Sequence, residues 1–209
     1  MPVREPKPSV ESQIRVVPGH RATQSDLELI FGNRGPGATC NCQRYKLAPK
    51  ESFRSVTAEV LRLRLIEQSG CGTDGPETSG LVGYLGDEPV GWCAVEPRPE
   101  YVGLVRVFRV PWDGRDEDRT DRGVWAITCL FTRAGYRRRG VSRAMAKAAV
   151  EFAEDRGADA VEAYPTVTTG AMPDELHVGV VNTFSDAGLR EITRPSKRRI
   201  VMRRDFPRR

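Results

Sequence analysis

The chain has 209 residues, of which 39% are hydrophobic and 29% are charged, and its formal net charge is +5. This composition is typical of one globular domain with extensions, and no apolar run approaches the ~18 residues that a membrane-spanning helix needs. Residues 1–12 contain three prolines and no apolar core. They predict a disordered tail rather than a signal peptide, a single domain over residues 13–209, and a cytoplasmic protein with no membrane partner.

The first predicted elements are a strand and a helix. Residues 14–17 are β-like, and Thr23 or Ser25 can cap a helix that continues to about Phe31. A cluster of glycine, asparagine and proline over residues 32–37 then interrupts regular structure.

A second helix is predicted over residues 53–68. Ser52 is its expected N-cap, and Gly70 is expected to end it. Its apolar residues form a broad face that consists of Val56, Val60, Leu61, Leu63, Leu65 and Ile66. The residues assigned to one side of this helix are Val56, Val60, Leu63 and Glu67.

A β-hairpin follows, because the apolar runs over residues 81–85 and 89–95 flank the turn-like tripeptide of Gly86, Asp87 and Glu88. Residues 101–110 could form a short helix or a strand. The segment 111–122 is rich in charged residues and is predicted to be an exposed loop.

The most apolar strand covers residues 124–131. Its side chains are apolar on both alternating faces, which only a central strand covered on both sides tolerates. The next turn, residues 137–142, is rich in arginine and opens into an amphipathic helix that ends near Gly157. The first amides of a helix have no partner within the helix, and the helix dipole is positive there. Because Gly140 also lets a ligand approach the backbone, this turn is a candidate cradle for a pyrophosphate.

The remaining elements complete the predicted fold. A strand is expected over residues 159–164, a helix over residues 180–187, and a closing hairpin from residues 189–193 and 198–202. The sum is an α/β fold in which a mixed sheet carries helices on both faces.

The stretch over residues 123–157 resembles the GCN5-related N-acetyltransferases, the GNAT family. The family signature on this turn is Gln/Arg-x-x-Gly-x-Gly/Ala, and Arg137, Gly140 and Ser142 occupy its three defined positions. Ser142 departs from Gly or Ala but is small, so its amide should stay reachable. The order of hairpin, strand, cradle, helix and strand extends the resemblance over about residues 80–202. It implies a mostly antiparallel central sheet and an acetyl-CoA-dependent N-acetyltransferase.

The resemblance also implies how acetyl-CoA binds. The pyrophosphate would lie on the amides of the cradle, and the pantetheine arm would pair with the central strand. A backbone N–H of Leu130 or Phe131 would polarise the thioester carbonyl, an oxyanion-type contribution to catalysis. Asn182 could bond to the cofactor or cap its helix. The cofactor-binding residues assigned in this way are Leu130, Phe131, Thr132, Arg137, Arg138, Arg139, Gly140, Val141, Ser142, Arg143 and Asn182.

The proton donor and acceptor of the reaction are less well defined. Many relatives place a tyrosine where this chain has Phe184, which cannot donate a proton. Tyr164 or a water could substitute, and a thiol with a pKa of about 8.5 can also leave without an acid. Glu162 is the first candidate for the catalytic base and Glu96 the second. His177 is a lone histidine near the expected acceptor side, and an incidental role is the simpler interpretation.

Five cysteines are present, an odd number that argues against a disulfide framework. Cys40 and Cys42 form a Cys-x-Cys pair. Because no second pair of ligands lies at a suitable spacing, no metal is predicted.

The hypothesis is therefore direct transfer of an acetyl group to a primary amine on a small molecule or a protein. Phe184 would also suit a non-catalytic acyl-CoA-binding regulatory module. The basic segment 194–209 would suit nucleic acid, although no nucleic-acid-binding motif supports this and a charged strand edge is the simpler interpretation. An exposed strand would permit a homodimer. The sequence does not identify the acceptor or the preferred acyl chain.

Overall fold

The structure is a computed structural model that describes residues 10–167 and 177–207. Within these ranges the chain forms seven strands and six α-helices. The strands are β1 (Ile14–Pro18), β2 (Gly80–Leu85), β3 (Glu88–Pro97), β4 (Val124–Thr132), β5 (Ala160–Ala163), β6 (Arg190–Thr193) and β7 (Val201–Asp205). The helices are α1 (Gln24–Phe31), α2 (Gly35–Cys40), α3 (Ala58–Ser69), α4 (Val102–Arg106), α5 (Val141–Asp155) and α6 (Val181–Asp186).

All seven strands belong to one sheet, in the order β1-β2-β3-β4-β5-β7-β6. β4 and β5 are parallel, and the other neighbouring pairs are antiparallel. Three strands lie on each side of β4, which confirms the central position predicted from its two apolar faces. The mixed, mostly antiparallel sheet is also confirmed.

Helices cover both faces of the sheet. On one face, Met145 and Ala149 of α5 pack with Val90 of β3 and Ile127 of β4, and α6 joins the same cluster. The alanines of α5 let its backbone approach the sheet closely. On the other face, α1, α3 and α4 pack around the buried Trp92. None of the helices in the described ranges is long and apolar enough to cross a membrane.

The start of α1 is fixed by its own sequence. The Asp26 amide donates to the Thr23 hydroxyl at 3.2 Å, and the Thr23 amide donates to the Asp26 carboxylate at 2.8 Å. This reciprocal capping box satisfies two amides that the helix itself leaves without partners. Of the two predicted caps, Thr23 is therefore the N-cap.

The prediction for α3 was wrong in its start, and only part of its predicted apolar face is buried. The helix begins at Ala58 with Thr57 as N-cap, whereas Ser52 forms a turn by donating its amide to the Ser55 hydroxyl at 2.9 Å. Its buried residues are Leu61, Leu65 and Ser69, and the side chains expected inside, Val60 and Leu63, are exposed. Apolar residues surround this helix on several sides, so only packing against the sheet decides which side is buried. Gly70 ends the helix as predicted, in the left-handed conformation.

The interrupted segment after α1 contains the beginning of α2. Pro36 lies in the first turn of this helix, where its missing N–H costs nothing. Gly37 is buried, and a Cβ at this position would lie 2.5 Å from the Phe131 ring. α2 therefore lies directly over the end of β4.

Residues 113–122 are mostly exposed, as predicted, but two side chains anchor the segment 111–122 to the domain. Trp112 is 3% exposed, and its indole N–H donates to the Leu104 carbonyl at 2.9 Å. Arg115 donates to the buried carboxylate of Glu162 at 2.5 Å. The charged residues over 116–122 remain exposed.

Candidate active site

A cleft opens where β4 and β5 part. The two strands pair from Val124–Ala160 to Ile127–Ala163, and β4 then continues over residues 128–132. Ala94 pairs with Cys129 and Val95 with Ile127, which leaves Thr128 as an additional residue in β4. Among the described residues, no strand pairs with residues 128–132 on the β5 side. The backbone of β4 therefore presents an open edge to this cleft.

The opposite wall of the cleft is formed by residues 177–183. The Thr166 amide donates to the Gly179 carbonyl at 3.2 Å, which holds this segment beside the chain that leaves β5. A Cβ on Gly179 would lie 2.6 Å from the Phe184 ring and 3.0 Å from Leu130 Cδ1. The wall segment thus approaches β4 closely at Leu130.

The turn between β4 and α5 has an unusual backbone. Gly135, Arg138 and Gly140 have positive φ values of 88°, 60° and 82°. For Arg138 this left-handed conformation is unfavourable, and such outliers concentrate at functional sites. The amides of Arg143 and Ala144 both donate to the Gly140 carbonyl at 3.0 Å. The amides of Arg143 and Ala144 are thus the first donors within the helix. The amides of residues 141 and 142 come before them and are suited to bind an anion.

A cavity of about 280 Å³ lies at this helix N-terminus. The Thr132 and Ser142 hydroxyl groups are 3.2 Å apart and connect the end of β4 to α5. The positive end of the helix dipole and two arginine side chains make the cavity a suitable site for a polyanion. Its lining residues are Thr132, Tyr136, Arg138, Gly140, Val141, Ser142, Arg143 and Thr183.

Not every residue assigned from the sequence lines this cavity. Arg137 and Arg139 are exposed outside it, and the Arg139 guanidinium lies 5.3 Å from the centre of the Tyr136 ring. Asn182 is exposed on α6, whereas the next residue, Thr183, lines the cavity. One residue rotates a helical side chain by about 100°, so the orientation of α6 decides between these two. Sequence reasoning missed Tyr136 and Thr183, although Tyr136 lies beside the arginine-rich turn.

Gly140 has a second constraint besides the approach of a ligand. A Cβ at this position would lie 2.7 Å from Glu11 Cβ and 3.3 Å from Glu11 Cα. Glu11 belongs to the predicted N-terminal tail, yet its carboxylate forms an ion pair with Lys147 of α5 at 2.9 Å. Any side chain at position 140 would therefore disturb the packing of residues 10–13 on α5.

Glu162 does not face the cleft. It pairs with Ala126 in the part of the sheet where β4 and β5 are still joined, and its side chain is 0% exposed. Its carboxylate accepts hydrogen bonds from Arg115 at 2.5 Å, Arg203 at 3.0 Å and Arg98 at 3.4 Å. The prediction that Glu162 is the catalytic base is therefore corrected, because an acceptor amine cannot reach it. Glu162 is the centre of a structural ion-pair cluster.

The other predicted proton-transfer residues are also engaged elsewhere. The Tyr164 hydroxyl donates to Glu162 at 3.0 Å, and burial raises the pKa of Tyr164 well above its usual range. Glu96 is ion-paired with Lys46, and burial raises the pKa of Glu96. Phe184 is fully buried in the core.

Aromatic rings lie on the face of the sheet opposite α5. The Tyr45 ring is centred 4.7 Å from that of Phe108 and 6.5 Å from the imidazole of His177. The Phe131 ring stacks on Phe31 at 5.0 Å. These rings lie beside the open part of β4.

Two thiols meet beside the same part of β4. Cys42 follows α2, and Cys129 lies on β4 immediately before Leu130. A hydrogen bond with Cys42, together with burial, raises the pKa of the Cys129 thiol well above its usual range. Within the described ranges, no group of three or more His, Cys, Asp and Glu residues is arranged to hold a metal ion.

Comparison with known proteins agrees with this geometry. Residues 46–172, more than half of the chain, match the model of the acetyltransferase (GNAT) family. A sequence search of curated proteins finds no match.

Three solved structures illustrate the similarity. A GCN5-related N-acetyltransferase from Kribbella flavida has a TM-score of 0.54 at 16% identity, covering 93% of this chain and 99% of that one. An N-acetyltransferase from Staphylococcus aureus Mu50 has a TM-score of 0.53 at 12% identity, covering 92% and 98%. The structure of AAC(6')-Ib in complex with paromomycin and acetyl-CoA has a TM-score of 0.52 at 16% identity, covering 92% and 93%. At these identities, the shared property is the fold.

Proposed function

Because this chain belongs to the GNAT family of acetyltransferases, we propose that it transfers the acetyl group of acetyl-CoA directly to a primary amine. The observation that carries the proposal is the connection between the cavity at the start of α5 and the open edge of β4. The cavity offers amides and positive charge to a pyrophosphate, and the strand edge offers hydrogen bonds to the amide groups of a pantetheine arm.

The residues present fit acetyl-CoA as the acyl donor. The amides of Val141 and Ser142 would bind the pyrophosphate, with Arg138 and Arg143 supplying charge and Thr183 a hydroxyl. The exposed Arg137 and Arg139 would attract the same phosphates electrostatically over a longer distance. The backbone over residues 130–132 would pair with the pantetheine arm.

Acetyl-CoA supplies an activated acetyl group as a thioester. A backbone N–H of Leu130 or Phe131 would stabilise the negative charge that develops on the carbonyl oxygen when the amine attacks. Phe184 offers no proton, so the thiolate would leave without a side-chain acid.

Direct transfer is supported by the state of the nearest thiol. Only a thiolate is an effective nucleophile, and Cys129 is buried, hydrogen-bonded to Cys42 and has a raised pKa. An acylated cysteine is therefore disfavoured as an intermediate, and the amine itself would attack the thioester.

Binding of acetyl-CoA is tested by calorimetry on Ser142→Glu and on the matched neutral variant Ser142→Gln. Both side chains have similar volume, and an acidic residue in the first turn of α5 favours the helix, so the fold should survive. The added carboxylate would face the pyrophosphate. For one carboxylate charge about 5 Å from a pyrophosphate that carries about two negative charges, and an effective dielectric constant of about 40, the repulsion is about 3 kcal/mol.

We expect micromolar affinity for the wild type, affinity within about tenfold of it for Ser142→Gln, and a further loss of about 100-fold for Ser142→Glu. Equal affinity of the two variants would refute the assignment of the cavity to the pyrophosphate. Gly140 is unsuitable for this test, because a Cβ there meets Glu11.

Catalysis is tested by the release of free CoA thiol with a panel of amines. The panel contains small alkylamines, polyamines, aminoglycosides, amino acids and lysine peptides. Thiol release that depends on one of these amines, together with the acetylated amine in a mass spectrum, is the expected result. Binding of acetyl-CoA without release by any amine would favour a non-catalytic acyl-CoA-binding module instead.

The basic C-terminal segment is partly neutralised within the fold. Arg203 pairs with Glu162 at 3.0 Å and with Asp205 at 2.7 Å, and Arg204 lies 3.8 Å from Glu154. These ion pairs favour a charged strand rather than a nucleic-acid site. Nucleic-acid binding that falls steeply with salt would contradict this interpretation.

A further inference from the structure

The transfer requires a group that removes a proton from the acceptor, because an ammonium ion has no lone pair with which to attack. The carboxylates and the tyrosine predicted from the sequence do not meet this need. Glu162 is enclosed by arginines, Glu96 is paired with Lys46, and the Tyr164 hydroxyl already donates to Glu162.

His177 lies at the start of the wall segment that faces the open part of β4. It is two residues before Gly179, and a Cβ built on Gly179 would lie 3.0 Å from Leu130 Cδ1. The Leu130 amide is one of the two candidates for polarising the thioester. The imidazole is therefore attached to a backbone segment that approaches the expected reaction centre closely.

The side chain of His177 lies beside the ring of Tyr45. The two ring centres are 6.5 Å apart at an interplanar angle of 35°, and the His177 side chain is half-buried. Tyr45 belongs to the same packed cluster as Cys129, on the open part of β4. The imidazole thus lies where the cleft wall meets the aromatic rings on the face of the sheet opposite α5.

We propose that His177 is the general base of the acetyl transfer. This inference rests on the proposed function. The neutral imidazole takes one proton from the acceptor ammonium, and the freed amine nitrogen forms a bond to the thioester carbonyl carbon. The carbon–sulfur bond breaks, the second nitrogen-bound proton reaches the thiolate sulfur, and the imidazolium releases its proton to water. The products are an amide, CoA thiol and one proton.

The chemistry of the surroundings suits this role. Imidazole is the side chain that most readily exchanges protons near neutral pH, which is the property that a general base needs. The charged or titratable groups that act on the neighbouring Tyr45 are Arg44, Arg199, Cys40 and Cys129.

The position of His177 can be tested without knowing the acceptor. The chain has only two histidines, so histidine-labelled protein gives two sets of imidazole NMR signals. His20 follows β1, which β2 and β3 separate from β4, and it serves as the internal control. Acetyl-CoA should shift the His177 signals and leave those of His20 unchanged, and Ser142→Glu should abolish the response. Unchanged His177 signals at saturating acetyl-CoA would overturn the proposal.

The catalytic role is tested by comparing His177→Gln with His20→Gln. The acceptor is the most reactive amine of the panel, or n-butylamine as a minimal primary amine. For His177→Gln we expect kcat/KM at pH 7 to fall about 100-fold or more, with the Kd for acetyl-CoA within twofold of the wild-type value. The deficit should shrink towards pH 10, where the free amine is abundant, and His20→Gln should match the wild type.

The kinetic results separate the role of His177 as the base from the proposed acetyl transfer itself. A His177→Gln variant that melts like the wild type, keeps kcat/KM within threefold and retains the acid limb of the pH profile would overturn the inference while leaving acetyl transfer established. Absence of transfer by the wild type with every amine would overturn the proposed function and the inference together.

Discussion

Replacing Glu162 by glutamine tests whether this residue has a structural or a catalytic role. Gln has nearly the same volume but cannot neutralise the arginines that surround the site. Arg98 and Arg115 are 0% and 5% exposed and both contact the Glu162 carboxylate. Loss of one partner from a buried ion-pair cluster typically costs about 3–5 kcal/mol, because the remaining charges stay buried.

The expected cost lies at the lower end of this range. Glu117 remains beside Arg98 at 2.9 Å and beside Arg115, so part of the compensation survives. We therefore expect Glu162→Gln to lower the free energy of unfolding by about 3 kcal/mol. For a chain of this size, this corresponds to a decrease in Tm of about 6–12 °C. Because the Glu117 side chain is 30% exposed, the matched variant Glu117→Gln should cost only about 1 kcal/mol.

Urea unfolding and calorimetry would measure these differences, and acetyl transfer would be measured well below the variant's Tm. Glu162 does not reach the cleft, so the folded variant should keep kcat within about threefold and retain the wild-type pH profile. A free energy of unfolding within 1 kcal/mol of the wild-type value would refute the ion-pair argument. A rate loss of about 100-fold with a flattened acid limb would instead restore Glu162 as the base.

Two further variants test local features of the fold. Gly140→Ala should lower the free energy of unfolding by about 1–2 kcal/mol. Gly140 has a φ of 82°, and a Cβ at this position would lie 2.7 Å from Glu11 Cβ. An unchanged urea midpoint would contradict that packing. Hydrogen bonds from Arg64 at 2.8 and 3.0 Å lower the pKa of Glu51 from 4.5 to about 2, so their stabilisation is present above pH 4.5 and is lost as the pH falls towards 2. For this partly exposed pair we expect a contribution to the free energy of unfolding of at most about 1 kcal/mol. Glu51→Gln and the wild type should therefore differ in Tm at neutral pH and converge near pH 2. A difference in Tm that does not change with pH would contradict the assignment.

Local sequence patterns determined most of the elements that build the site. The apolar run before the arginine-rich turn identified β4 as a central strand because only a strand buried on both faces has that composition. Thr23 and Asp26 encode their own helix start, since both partners of the capping box lie within one turn. The turn through Gly140 indicated an anion site for the same reason, because a helix N-terminus carries its free amides wherever it lies.

Tertiary structure decided which side chains of these elements lie at the candidate site. The sequence showed Glu162 as a carboxylate on the strand after the cradle, but the arginines around it come from residues 98, 115 and 203, and only folding brings them together. His177 looked incidental until its segment was placed opposite β4 and its ring beside Tyr45. Backbone propensity and capping act over a few residues and are legible in the sequence. The environment of a buried charge or an imidazole depends on distant segments, so only the packed molecule defines it.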